Sequence, residues 1–123
     1  MKYFYLSYMK TQDILQHLLP EEILSYFDLT DILEQDGKLI FCLDEKHQIP
    51  DDFPAGEYEA KGFTPGKNLQ DFPLRGKAVV LYVRRRKWLD KNTGKVLTST
   101  WDLNTDGTKY TKEFGAFLKV LVG

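Results

Sequence analysis

The chain has 123 residues, 42% of them hydrophobic, 14% aromatic and 28% charged, with a formal net charge of -1. This length and apolar content support one domain, residues 1–123, with its own core, and they exclude a disordered or low-complexity chain. A single cysteine, Cys42, excludes a disulfide framework and an all-cysteine metal site and fits a reducing, cytoplasmic compartment. No apolar run approaches the roughly 18 residues of a membrane helix, so no membrane partner is expected.

Residues 1–10 are apolar until Lys10 and lack a small-residue cleavage site. They read as a disordered or upstream start extension, with Met9 a candidate start, rather than as a signal peptide. Thr11 is a suitable N-cap for a helix carrying Ile14, Leu15, Leu18 and Leu19 on one face. Pro20, Glu21 and Glu22 then open a second short helix, since proline and acids both suit a first turn, and Ile23, Leu24, Tyr26 and Phe27 give it an apolar side. Beyond Phe27 the pattern alternates. Asp36-Gly37 between apolar segments predicts a tight hairpin into Leu39, Phe41 and Leu43. Pro50, Pro54, Gly56, Pro65 and Gly66 mark loops around one short strand near residues 57–63. Residues 77–89 form the longest strand candidate, 90–95 a turn and 96–103 the returning strand. With a 91–94 turn, position 90 faces 95, Trp88 faces Leu97 and Arg84 faces Trp101, within cation–π reach. Thr111 caps a final helix whose Phe114, Phe117, Leu118 and Leu121 fall on one stripe. The sum is an α+β domain: a helical N-terminal segment, an antiparallel sheet of about four or five strands with a projecting basic β-hairpin, and a C-terminal helix.

The net charge of -1 conceals a strong asymmetry. Residues 1–74 carry six Lys against fourteen Asp and Glu, a net of −8, whereas residues 75–112 carry ten Lys and Arg against three Asp, a net of +7. In the strand at 77–89, Val79, Leu81, Val83, Arg85 and Lys87 share one face, and Val80, Tyr82, Arg84, Arg86 and Trp88 the other. Its first half is apolar on both faces and its second half cationic on both. Unpaired charge is too costly to bury, so the hairpin is expected to leave the core near Arg84 as a two-stranded ribbon, with Lys91 and Lys95 at its tip. Such a ribbon can neutralise phosphates and fit a major groove. The same run also reads as a solvated hairpin whose cations protect a sheet edge. Arg75 and Lys77 add cations in the preceding turn. Trp88 and Trp101 read as packing residues rather than base stackers.

Catalytic and metal signals are weak. His17 and His47 are thirty residues apart, Cys42 reads as a buried inert thiol, and Asp44, Glu45, Asp51 and Asp52 read as loop carboxylates with no fixed pairing. There is no dinucleotide or phosphate-binding glycine loop and no nucleophile elbow, so an independent enzyme is not expected.

Three groups of segments carry a family resemblance. They are Leu18-Leu19-Pro20-Glu21-Glu22-Ile23-Leu24 with Tyr26-Phe27-Asp28, then Gln70-Asp71-Phe72-Pro73-Leu74-Arg75-Gly76-Lys77-Ala78-Val79 running into Val83-Arg84-Arg85-Arg86-Lys87-Trp88, and lastly Thr93-Gly94, Trp101-Asp102-Leu103 and Gly107-Thr108-Lys109-Tyr110-Thr111-Lys112-Glu113-Phe114, ending in Phe117-Leu118-Lys119. Over about residues 15–121 the chain resembles the N-terminal region of ISAon-type insertion-sequence transposases, an ISL-three-like group of bacterial mobile elements. The resemblance implies a non-catalytic module that recognises the element's DNA ends, with the acidic-triad strand-transfer nuclease in a separate segment. ISL-three-like relatives carry a zinc ribbon after a similar basic strand. Here no cysteine stands in the corresponding hairpin, so neither zinc nor any other cofactor is expected.

The expected partner is therefore double-stranded DNA. Arg84, Arg85, Arg86 and Lys87 are the main expected contacts, and Arg75, Lys77, Lys91 and Lys95 position phosphates. The transposase catalytic segment is a further partner and a homodimer is admissible. The alternative is a protein-interaction module whose basic hairpin docks on an acidic partner surface or on the acidic residues 1–74 of a second copy.

Overall fold

In the computed structural model, which describes residues 19–74, 76–101 and 110–122, the framework is made by two hairpins. The first joins β1 (Phe27–Gln35) to β2 (Lys38–Glu45), with Gln35 opposite Lys38. Its two central residues, Asp36 and Gly37, have φ of 52° and 75°. A type I′ turn needs both positions left-handed, which is why Asp-Gly closes it. The second hairpin is longer and bent. It comprises β3 (Tyr58–Phe63) and β4 (Lys67–Leu74) going out, and β5 (Lys77–Arg84) and β6 (Arg86–Asp90) returning. At the bend the Thr64 amide donates to the Arg85 carbonyl at 2.8 Å, and the Arg85 amide donates to Thr64 Oγ1 at 3.1 Å.

The hairpins join side by side through β2 and β5, which run parallel from Lys38↔Ala78 to Asp44↔Arg84. The result is a mixed four-stranded sheet of order β1-β2-β5-β4. A three-stranded antiparallel sheet of order β3-β6-β7 adjoins it, where β7 is Val96–Leu97. The class is α+β, as the sequence implies. The parallel pairing and the strand β4 are not in the sequence reading. A parallel pair needs a long crossover, and residues 46–76 supply it.

Two helices cover one face of the four-stranded sheet. The short α1 (Glu21–Tyr26) follows Pro20, and α2 (Lys112–Val122) carries the expected stripe. Phe114 and Leu118 are fully buried, with Phe117 and Leu121 nearly so. They pack on Phe41 and Leu43 of β2, Leu69 of β4, and Val79, Leu81 and Val83 of β5. Helix α2 is fixed at both ends. Thr111 Oγ1 accepts from the Phe114 amide at 3.3 Å, while Glu22 Oε1 accepts from the Thr111 amide at 2.9 Å and from its hydroxyl. At the other end Lys67 Nζ donates to the Leu121 carbonyl at 3.4 Å. Among the described residues no helix is long and apolar enough to cross a membrane.

The helix expected from Thr11 lies outside the described residues, as do residues 1–10. The returning strand expected over 96–103 is short: β7 ends at Leu97, and positions 102–103 are outside the described residues. After Leu97 the chain is held by other partners. Thr98 Oγ1 and the Ser99 carbonyl accept from Arg85, the Ser99 hydroxyl donates to Glu45, and the Thr100 hydroxyl donates to Asp52 at 2.6 Å. Trp101, at φ 50°, then turns into the core against Tyr26, Phe27, Tyr110 and Phe114.

Phe114→Ala empties the centre of this aromatic cluster. It is expected to lower the unfolding free energy by about 3–5 kcal/mol in a urea titration, whereas Val120→Ala on the exposed side of the same helix should change it by under about 0.5 kcal/mol.

Candidate nucleic-acid interface

The basic run lies where the chain passes from one sheet to the other, and the three arginines are held there by different partners. Arg84 makes a bidentate pair with Asp44, Nε to Oδ1 at 2.7 Å and Nη2 to Oδ2 at 2.6 Å. The hydrogen bonds that Arg84 donates to Asp44 push its guanidinium pKa up from its ordinary value. Arg85 Nη2 donates to Thr98 Oγ1 at 3.1 Å and to the Ser99 carbonyl. Arg86 Nε donates to the Glu45 carbonyl at 3.3 Å. The guanidinium carbons of Arg84 and Arg86 lie 4.3 and 4.5 Å from the centre of the Phe63 ring.

This placement revises three details of the sequence reading. The arginines are half-buried rather than solvated, because each has acceptors or an aromatic face that offset the loss of water. The aromatic partner of Arg84 is Phe63, not Trp101, because the strand changes sheets at Arg85 and β7 stops at Leu97. Moreover, β6 has β3 on its other side and is the centre of a three-stranded sheet, not one half of a two-stranded ribbon.

The outer end of the hairpin follows the expected register. Trp88 faces Leu97 and Leu89 faces Val96. The Asp90 amide donates to the Lys95 carbonyl at 2.8 Å, and the Gly94 amide donates to the Asp90 carbonyl at 2.7 Å. Asp90 Oδ1 accepts from the Asn92 amide at 2.9 Å and stiffens the turn. Lys91 and Lys95 are exposed and Lys87 is half-exposed. None of the three makes an ion pair among the described residues. By contrast, Lys77 pairs with Glu34 across the four-stranded sheet. Arg75 lies outside the described residues. Both tryptophans are buried: Trp101 in the main core, and Trp88 apart from it, 5.3 Å from His47 ring to ring.

Asp44 and Glu45, read from sequence as loop carboxylates, are the last two residues of β2. The alternation Phe41, Leu43 carries on to Glu45, which is 6% exposed on the core side, while Asp44 points to the other face with Cys42. The Glu45 carboxylate accepts from the Arg86 amide at 2.8 Å through Oε1 and from the Ser99 hydroxyl through Oε2. Burial pushes the Cys42 thiol up, the Asp31 and Asp44 carboxylates add to this, and Arg84 opposes it. Among the described residues no three His, Cys, Asp or Glu side chains gather as a metal site. An apolar cleft of about 980 Å³ opens between α1, α2 and the sheet, with polar groups such as Gln70, Asp71 and Lys112 in its lining. No protein-family model, curated protein or solved structure matches the chain.

Ser99→Ala leaves one oxygen of a buried carboxylate without its donor and is expected to cost about 1–3 kcal/mol in chemical denaturation. Because the Cys42 thiolate is disfavoured, alkylation by iodoacetamide at pH 8 should be slower in the folded protein than in the same protein unfolded in urea.

Proposed function

We propose that the chain is a non-catalytic, duplex-DNA-binding module of an insertion-sequence transposase, acting through the β6–β7 hairpin. The observation that supports this reading most directly is the division of labour within the basic run. Arg84, Arg85 and Arg86 are bound to the protein's own groups and set the position of the hairpin. Among the described residues Lys87, near the start of β6, and Lys91 and Lys95, at the turn, have no acidic partners. A compact ammonium on a flexible stem suits phosphate as a point charge, whereas the planar guanidinium suits fixed bidentate and stacked contacts. In this reading the lysines meet the phosphates, and the arginines add positive potential from behind. Lys77 opens β5 at the far end of the same run, and Arg75 precedes it in the sequence. The resemblance in segment order supports the transposase context, in which the strand-transfer nuclease occupies a separate segment and the module itself performs no chemistry.

The test is duplex binding across a salt series. Contact with three to five phosphates gives a slope of log K against log salt between about −2.7 and −4.5. A chain that binds no duplex at low salt would overturn the reading, and self-association in that experiment would favour a protein-interaction module instead.

A further inference from the structure

The three-stranded sheet has an inner face and an outer face, and strand register assigns the residues to each. Trp88, Ala60 and Leu97 share the inner face. Glu59, Leu89 and Val96 share the outer one, with Val96 54% exposed. Lys87 lies between Arg86 and Trp88 in β6 and therefore points outward. Opposite it, the register of β3 slips between Ala60 and Phe63, where Gly62 takes φ 82°. Continuing the Ala60↔Trp88 register by one residue sets Lys61 across from Lys87 on the outer face, and the left-handed Gly62 absorbs the slip just after it, where Phe63 meets Arg86.

Two lysines facing each other on neighbouring strands destabilise a sheet unless something negative sits over them. Lys61 is exposed, and neither lysine has an ion pair among the described residues. Glu59 is the outer-face acid on β3, and it stands opposite Leu89, beyond the lysine pair. Lys91 and Lys95 then lie at the turn, roughly 13 Å along β6 from Lys87 at ~3.3 Å per residue. Across the strands, β3 to β7 spans two strand spacings, about 10 Å, close to the ~12 Å width of a B-DNA major groove. Leu89 and Val96, with Glu59 beside Leu89, separate the two groups of lysines.

We infer that the DNA contact surface is the outer face of the whole three-stranded sheet, with Lys61 of β3 and Lys87 of β6 forming a phosphate-binding pair and Lys91 and Lys95 forming a second one at the turn. This inference rests on the duplex-binding reading and enlarges it. The contact surface includes a residue far from the basic run in sequence, and the arginines lie beneath it rather than on it.

The experiment compares salt slopes for an arbitrary duplex of about two helical turns between the unaltered chain, Lys61→Gln, Lys87→Gln and, as a control on the other sheet, Lys38→Gln. Each of the first two should reduce the magnitude of the slope by about 0.9, one phosphate contact, and weaken binding alike for unrelated duplex sequences. Lys38→Gln should leave the slope unchanged. Thermal melts serve as the structural readout: Lys61→Gln should melt at the same temperature or higher, since it removes a like-charge opposition. If the unaltered chain binds duplex but Lys61→Gln and Lys87→Gln keep its slope, the proposed face is wrong while the DNA reading stands. If the unaltered chain binds no duplex, the DNA reading itself fails and takes this inference with it.

Discussion

A carboxylate taken out of water must be given donors, and Glu45 finds its donors on two separate pieces of chain: the Arg86 amide, where β6 begins, and the Ser99 hydroxyl, just after β7 ends. Glu45 itself closes β2, opposite Phe27 at the start of β1. One buried side chain thus joins the helix-covered sheet to the inner and outer strands of the second sheet. Breaking such a node is costly because the charge stays buried while its partners are lost. The positions of Arg85 and Arg86 follow from it. With Ser99 held to Glu45, the Ser99 carbonyl and Thr98 hydroxyl are presented to the Arg85 guanidinium, and with the Arg86 amide held, its side chain reaches the Glu45 carbonyl and the Phe63 ring.

What could be read directly from the residues was local chemistry. The Asp36-Gly37 turn, the Phe114–Leu121 stripe, the Thr111 cap and the pairing of Trp88 with Leu97 all depend on contacts a few residues apart, and all stand in the structure. What could not be read depends on distant pairing. Strand β4 contains Pro73 and follows Pro65-Gly66, which resembles loop composition. It is nevertheless an edge strand, where a proline's missing amide need not interrupt a ladder. Gly66 has a further role there, since a Cβ at that position would overlap the Tyr82 ring. The parallel contact of β2 with β5 has no turn of its own to announce it, and it is this contact that sets Asp44 opposite Arg84.

The same dependence explains the basic run. Composition alone makes Arg84 through Lys87 one cationic block, and period-two alternation then forces it out of the core. Adding Asp44, Glu45, Ser99 and Phe63 divides the block by chemistry: three guanidinium groups with hydrogen-bond acceptors or an aromatic face within the fold, and an ammonium group facing outward. The electrostatic asymmetry of the sequence is therefore partly satisfied inside the protein, and Lys87, Lys91 and Lys95 are left without ion pairs among the described residues.

The two tryptophans lie in different parts of this architecture. Trp101 sits among Tyr26, Phe27 and Phe114 under the helices, whereas Trp88 is buried in the second sheet beside His47, outside the main cluster. Among the described residues neither buried indole nitrogen has a hydrogen-bond partner. Each half of the molecule consequently contains its own optical probe. Light emitted from one indole reports on the helix-covered core, and light from the other reports on the platform that carries the lysines.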